Sequence, residues 1–138
     1  MHRGVSELKI LLYCKNTEAH KRALDIALEQ AKAFGASVDL VSCVSEKDKI
    51  PLEVMEKAEK KLQDYVEEVF APASIPCTTK VIVSAFTSGE ELVKYAEANS
   101  IDTIIMSIQK RSRLGKIFYG SNTQYVLLEA PCKVITIT

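Results

Sequence analysis

The sequence contains no apolar run near the ~20 residues that a membrane-spanning helix needs, and its first residues, MHRGVSELKI, lack the hydrophobic segment of a signal peptide. It also lacks an excess of either charge, since Lys plus Arg and Asp plus Glu each number 18. Dedicated nucleic-acid binders usually carry a basic excess. We therefore expect a cytoplasmic protein whose partners include neither a membrane nor a nucleic acid.

Groupings that would indicate a metal centre or a catalytic site are missing as well. The four cysteines form no CxxC pair, and the two histidines, His2 and His20, are not spaced with them as metal ligands would be. Ser121 has no Gly-x-Ser-x-Gly elbow around it, and no histidine lies in the second half of the chain. The sequence therefore predicts reduced, mostly buried thiols, no metal and no enzymatic activity.

What the sequence does contain is an alternation of short apolar runs with helical segments. Most of the runs are too continuously apolar for half-exposed strands, which favours a sheet covered on both faces. A chain of 138 residues suits a single domain, 1–138. Alternating strands and helices with right-handed crossovers predict an α/β three-layer sandwich with a parallel sheet. The five predicted strands are 8–13, 38–44, 80–83, 103–106 and 133–137.

Helical periodicity fills the intervals between these strands. The first helix is expected to end at Gly35, which can adopt a left-handed conformation. The second starts near Pro51, and a third precedes the fourth strand. The last helix runs from about 121 to 130, where Pro131 stops it.

Two of these helices begin with the residue spacing of a capping box, Ser88 with Glu91 and Ser121 with Gln124. The start of the last helix, at Gly120 and Ser121, would offer unpaired N–H groups to an anion. No Asp or Glu lies between positions 103 and 128, whereas the segment before this helix carries four bases, Lys110, Arg111, Arg113 and Lys116. This pattern predicts a local anion site.

Several of these features occur together in a recognisable order. The segment IDTIIM at 101–106 is followed by a loop that ends in Gly120 and Ser121, a helix at 89–97 precedes it, and a short strand follows Pro131. Nearly the whole chain resembles the universal stress protein family in these respects. The resemblance implies a five-stranded parallel sheet in the order 3-2-1-4-5, a Rossmann-like arrangement of the adenine nucleotide alpha hydrolase type. The strand order would then reverse between the first and fourth strands.

Members of that family that bind ATP carry Gly-x2-Gly-x9-Gly-(Ser/Thr) after the fourth strand and an Asp at the end of the first. Here Gly120 and Ser121 match the last pair, but Ser107 and Lys110 occupy the two leading glycine positions. Lys15 stands where the Asp would be. A lysine side chain opposes a close approach of the backbone to phosphate, and it has no hydrogen-bond acceptor. The resemblance therefore implies a degenerate nucleotide site without family-type ATP binding.

The residues leave alternatives open at this site. Either side-chain charge replaces the missing glycines and holds ATP, AMP or another phosphate compound, or the basic segment is a solvated surface loop. Lys15 pairs either with a ligand phosphate or with a nearby carboxylate. Cys14 and Cys43 are either a redox pair or buried structural thiols. The candidate ligand-binding residues are Lys15, Val44, Ser107, Lys110, Arg113, Gly120, Ser121 and Asn122.

The final strand, 132–137, would form one edge of the sheet in the family's order. An exposed apolar edge favours pairing with another chain, and the family commonly dimerises through this strand. We expect a homodimer through 132–137. The predicted function is a non-catalytic binding or regulatory module in the stress response. Three alternatives remain open: the domain is a protein scaffold, it binds a phosphate ligand, or it regulates a larger partner such as a transporter.

Overall fold

A computed structural model describes residues 8–15, 19–45, 51–109, 111–113 and 115–138. The predicted α/β three-layer sandwich is confirmed, because helices cover both faces of a five-stranded sheet whose neighbouring strands are parallel. In chain order the elements are β1 (Lys9–Tyr13), α1 (His20–Phe34), β2 (Ser37–Ser45), α2 (Leu52–Tyr65), β3 (Cys77–Ser84), α3 (Ser88–Ala98), β4 (Thr103–Ser107), β5 (Arg111–Arg113), β6 (Lys116–Phe118), α4 (Ser121–Glu129) and β7 (Lys133–Ile137).

The strand order in the large sheet is β3-β2-β1-β4-β7, which confirms the expected order 3-2-1-4-5 with β7 as the fifth strand. Strand β1 lies in the middle, and its Leu11 is opposite Asp39 of β2 on one side and Ile104 of β4 on the other. The chain leaves β1 toward β2 and β3 and later returns to β4 on the opposite side. This reversal places a crevice beyond the carboxyl ends of β1 and β4.

Alternation along the central strand divides the core into two layers. Ile10 and Leu12 pack with the helices α1 and α2, whereas Leu11 and Tyr13 pack with α3 and α4. Successive side chains of a strand point to opposite faces, so one apolar run supplies both layers. The continuous apolar character of the strands follows from this burial on both faces.

The ends of the first two helices follow local sequence signals. Gly35 ends α1 in the left-handed region at φ 61°, as predicted, and its N–H donates to the carbonyl of Ala31. Pro51 precedes α2 rather than occupying its first turn. The helix continues as a π-helical turn, Val66–Phe70, and a 3-10 turn, Ala71–Ala73, which brings the fully buried Phe70 into the core.

One element was missed by the sequence analysis. The basic segment, expected as a loop, contains an antiparallel hairpin in which Arg111 of β5 pairs with Phe118 of β6. Gly115 lies in its turn at φ 74°, a conformation that glycine adopts without a steric penalty. The prediction failed because the strands are only three residues long and have no apolar run that marks a strand.

A buried carboxylate joins four elements near the amino ends of the strands. Asp39 of β2 is 5% exposed, and it accepts hydrogen bonds from the Thr78 hydroxyl at 3.0 Å and from the Tyr95 hydroxyl at 2.9 Å. The ammonium group of Lys9 lies 3.6 Å from the same carboxylate. Burial, followed by the hydrogen bond to Asp39 and its charge, raises the pKa of Tyr95. This cluster therefore links β1, β2, β3 and α3 through one charge.

Candidate functional site

The amino end of α4 lies next to the crevice beyond β4. Gly120 is the N-cap residue at φ −66° and ψ 160°, and no side chain in the described part of the chain caps this helix. The first N–H groups of a helix have no partner inside it, and the helix dipole makes this end attractive to anions. Ser121 is exposed in the first turn and does not cap it, so that prediction was wrong by one residue. The side-chain amide of Gln124 instead donates a hydrogen bond of 3.3 Å to the backbone carbonyl of Tyr119.

Asn122, in the same turn, joins α4 to α3. Its side-chain oxygen accepts a hydrogen bond of 2.9 Å from the N–H of Gly89. A Cβ atom at position 89 would lie 3.0 Å from the Asn122 carbonyl oxygen, so the two helices approach at a position that favours glycine. Asn122 therefore has a structural contact that competes with any contact to a ligand.

Helix α3 also differs from its predicted start. Thr87, not Ser88, is its N-cap residue, and the threonine hydroxyl accepts from the N–H of Glu90 at 3.3 Å. The carboxylate of Glu91 then accepts from the Ser84 hydroxyl at 2.9 Å instead of closing a capping box. The N-cap thus lies one residue earlier than predicted, and the Glu91 side chain faces the end of β3.

Two of the predicted site residues line one cavity. Val44, near the end of β2, and Asn122 border a space of about 190 Å³ that also includes Ser84, Ser88 and Glu91. The side chain of Glu91 is 15% exposed, and the ammonium of Lys94 lies 3.8 Å from it. We call this space the Val44 cavity. Its carboxylate and hydroxyl oxygens can accept hydrogen bonds from hydroxyl or amino groups, and Glu91 is a site residue that the sequence analysis did not select.

Lys15 lies on the other side of the sheet. It borders a separate cavity of about 150 Å³, whose other lining residues are Cys14, just after β1, and residues of β2, α1 and α2. The helices that line the Val44 cavity are α3 and α4 instead, together with the ends of β2 and β3. The structure therefore does not bring Lys15 into one cavity with Val44 and Asn122.

The other predicted site residues, Ser107, Arg113 and Lys110, differ in burial and in position. Ser107 is the last residue of β4 and is 0% exposed, so it offers no accessible atom to a ligand. The end of β4 is thus still inside the core, and a binding role for Ser107 stays a prediction that would require the strand end to open. Arg113 ends strand β5 of the hairpin. Lys110 lies outside the described residues.

The cysteines have the properties of structural thiols. All four are free, and burial raises the pKa of Cys14 to about 12 and that of Cys43 to about 11. Burial also raises the pKa of Cys77 to about 12 and that of Cys132 above its ordinary value. Because the thiolate is the reactive form of cysteine, these shifts argue against the redox alternative for Cys14 and Cys43.

His20, at the start of α1, is a buried histidine that no sequence motif selected. It is 6% exposed, and its ring centroid lies 5.3 Å from that of Tyr65. Burial, helped by the charge of Lys61, lowers its pKa. The available signal was its position in the apolar stripe of α1, since His20 precedes Ala23, Ala27 and Ala31 at helical spacing.

This shift predicts a loss of stability in acid. An unfolded histidine has a pKa near ~6.5, so the unfolded chain binds a proton that folded His20 resists, and stability falls as the pH drops below that value until the folded pKa is passed. Among the described residues, the charged and titratable side chains that line the cavity with His20 are Cys14, Lys15, Lys61 and Tyr65. Between pH 7 and 5, we expect the wild type to lose up to ~1.4 kcal/mol per pH unit more than His20→Gln in urea unfolding. Parallel pH profiles for the two proteins would contradict this assignment.

Within the residues that the structure describes, no group of three or more His, Cys, Asp or Glu side chains is placed to hold a metal ion. None of the helices described there combines the length and the apolar character needed to cross a bilayer.

The fold and the crevice at the strand-order reversal define a Rossmann-like α/β domain of the kind that binds small ligands beyond its strand ends. The sequence model of the universal stress protein family matches residues 8–138. The chain belongs to that family. A universal stress protein encoded in the QAH/OAS sulfhydrylase 3' region of Thermus aquaticus is 28% identical over 133 residues, which cover 93% of this chain and 96% of the relative.

Solved structures support the same fold. A universal stress protein from Archaeoglobus fulgidus superposes with a TM-score of 0.80 at 22% identity, covering 95% of this chain and 93% of the other. A universal stress protein from Archaeoglobus fulgidus in complex with dAMP gives a TM-score of 0.75 at 19% identity, covering 98% and 100%. At these identities the comparison establishes the shared architecture.

Proposed function

We propose that this universal stress protein is a non-catalytic regulatory module of the stress response that acts through protein contacts and does not hold ATP in the manner of the family's ATP-binding members. The observation that carries the proposal is the burial of Ser107, at the first glycine position of the ATP motif. Lys15, in place of the motif's Asp, borders a cavity on the opposite face from Asn122. The substituted positions Ser107 and Lys15 thus do not border the cavity beside Gly120 and Ser121, which supports the absence of family-type ATP binding.

The side-chain chemistry also supports a non-catalytic role. In the described part of the chain, His20 has no hydrogen-bonded partner and the cysteine thiols have raised pKa values, so neither histidine nor cysteine forms a pair of nucleophile and general base there. Catalysis by proton transfer or by a covalent intermediate needs such a pair within hydrogen-bonding reach. The proposal therefore assigns the output of this domain to binding.

The protein contact is proposed to be a homodimer formed through 132–137. Strand β7 is at one end of the sheet order, so one of its edges has no partner in the large sheet. Only three residues separate it from α4, whose Leu127 and Leu128 are 48% and 81% exposed. An unpaired edge next to exposed leucines favours association with a second copy.

Leu128→Lys is expected to turn the dimer into a monomer with little change in melting temperature, because a side chain that is 81% exposed contributes little to the core of one chain. Light scattering at micromolar concentration measures the mass. Leu52→Lys, at a leucine that is 72% exposed at the start of α2, is the matched control and should remain a dimer. A monomeric wild type, or a dimeric Leu128→Lys, would contradict this interface.

A second function is favoured by one observation, the uncapped amino end of α4 beside the Val44 cavity. The exposed N–H groups suit a phosphate, and Glu91 with Ser84 offers acceptors for the amino or hydroxyl groups of a nucleoside. A relative of the same fold is known in complex with dAMP. The ligand of this second function is ATP, AMP or another phosphate compound. Nucleotide that copurifies with the protein would favour ligand binding over a role through protein contacts alone.

A further inference from the structure

The cavity that Lys15 borders has properties of a ligand site of its own. It lies between α1, α2 and the carboxyl ends of β1 and β2, and it encloses about 150 Å³. We call it the His20 cavity after its most buried polar residue. It is separate from the Val44 cavity, since the two spaces share no lining residue.

His20 is the observation that points to a ligand. Its side chain lines the cavity and is 6% exposed, yet neither Nδ1 nor Nε2 has a hydrogen-bond partner among the described residues. The tilted contact with the Tyr65 ring, 5.3 Å between centroids, packs the imidazole without satisfying either nitrogen. Buried polar atoms are nearly always hydrogen-bonded, so two unpartnered nitrogens on a cavity wall indicate a missing partner.

The other side chains that line the His20 cavity indicate the chemical class of the missing partner. Leu62 and Tyr65 give the cavity an apolar side, whereas Lys15 and Lys61 add two exposed ammonium groups. A neutral imidazole has one N–H that donates and one nitrogen that accepts. A space of this size holds a molecule of roughly the dimensions of benzene. The wall thus matches a small apolar body that carries one anionic group.

We propose that the His20 cavity binds a small organic monocarboxylate, with its apolar body against Leu62 and Tyr65 and its carboxylate between the imidazole of His20 and the ammonium groups of Lys15 and Lys61. The His20 N–H donates to the carboxylate, and the other ring nitrogen accepts from water or from a hydroxyl group. Binding is noncovalent and leaves the ligand chemically unchanged. This site does not depend on whether the Val44 cavity holds a nucleotide.

The probes are benzoate and butanoate, each paired with an uncharged analogue of similar shape, benzyl alcohol and 1-butanol. Histidine ring resonances of the full chain, assigned with His20→Gln, are followed by NMR during titration. Saturable movement of the His20 resonances by a carboxylate, with the uncharged analogue at least about tenfold weaker, is the expected result. Absence of saturable movement with both carboxylates would overturn the proposal, because the cavity would then hold only water.

Substitutions at the cavity rim test the assignment of the residues. Lys61→Met keeps the length of an exposed side chain and removes its charge, and it should weaken carboxylate binding about tenfold. His20→Gln should weaken it to a similar extent. Lys57→Met, one turn earlier on α2 and not part of the cavity wall, is the matched control and should bind as the wild type does. If Lys61→Met and Lys57→Met bound the carboxylate with equal affinity, the proposal would be overturned, even if His20→Gln failed to fold.

Discussion

Asp39→Ala is expected to lower the free energy of unfolding by about 3 kcal/mol, because it removes a buried carboxylate that accepts from the hydroxyl groups of Thr78 and the half-buried Tyr95 and that pairs with the half-buried ammonium group of Lys9. For a domain of this size the melting temperature should fall by roughly 10 °C. Thermal and urea unfolding measure the change. The matched control is Asp64→Ala, which breaks the exposed pair of Asp64 with Lys60 and should leave the melting temperature nearly unchanged.

A double-mutant cycle assigns part of this loss to one contact. Tyr95→Phe removes the hydroxyl that donates to Asp39 at 2.9 Å and should cost about 1 kcal/mol in the wild type. In the Asp39→Ala background the hydroxyl has lost this acceptor, so the same change should cost much less or become favourable. An equal cost of Tyr95→Phe in both backgrounds would show that this hydrogen bond does not couple α3 to β2.

Gly89→Val is expected to destabilise the protein by about 2 kcal/mol, since the first atom of the side chain already reaches 3.0 Å from the Asn122 carbonyl oxygen and 3.2 Å from the Asn122 Cα. A branched side chain has two more carbons to place in that contact. The helices α3 and α4 would separate, and the hydrogen bond between the Gly89 N–H and Asn122 would lengthen. Chemical unfolding gives the stability, and amide exchange at the start of α4 reports the local opening.

The same substitution at another helix start separates crowding from a general effect of valine. A Cβ at Gly120 meets nothing within 4 Å, and the backbone there has φ −66°, which valine can adopt. Gly120→Val should therefore cost less than about 1 kcal/mol, the loss of a glycine N-cap preference. If Gly89→Val proved as stable as Gly120→Val, the proposed close approach of α3 to α4 would be wrong.

The architecture could be predicted from the sequence because its signals are local and repeated. Apolar runs identify the strands, and Gly35 ends α1 by a conformation that glycine favours. The order of the strands came from resemblance to a family and not from the runs themselves, since several orders suit five buried strands. The hairpin of β5 and β6 was missed because strands of three residues are too short to show a periodic pattern.

The site was harder to predict, because it depends on which face each side chain reaches. Lys15 and Val44 both lie near strand ends, yet they border two separate cavities. Ser107 was expected to be accessible on account of its place in the motif, but the core extends to the end of β4. Glu91 was given a capping role by its spacing and instead accepts from Ser84 across the end of β3. Spacing alone does not specify these side-chain directions.

The nucleotide content of the purified protein tests the proposed function most directly. The protein is denatured, and the supernatant is separated on an anion-exchange column with detection at 260 nm. A half-assembled motif, with Ser107 buried and Lys15 on the opposite face from Asn122, predicts no stoichiometric nucleotide. A peak of ATP, ADP or AMP close to one per chain would contradict the proposal and assign the Val44 cavity and the amino end of α4 to nucleotide binding.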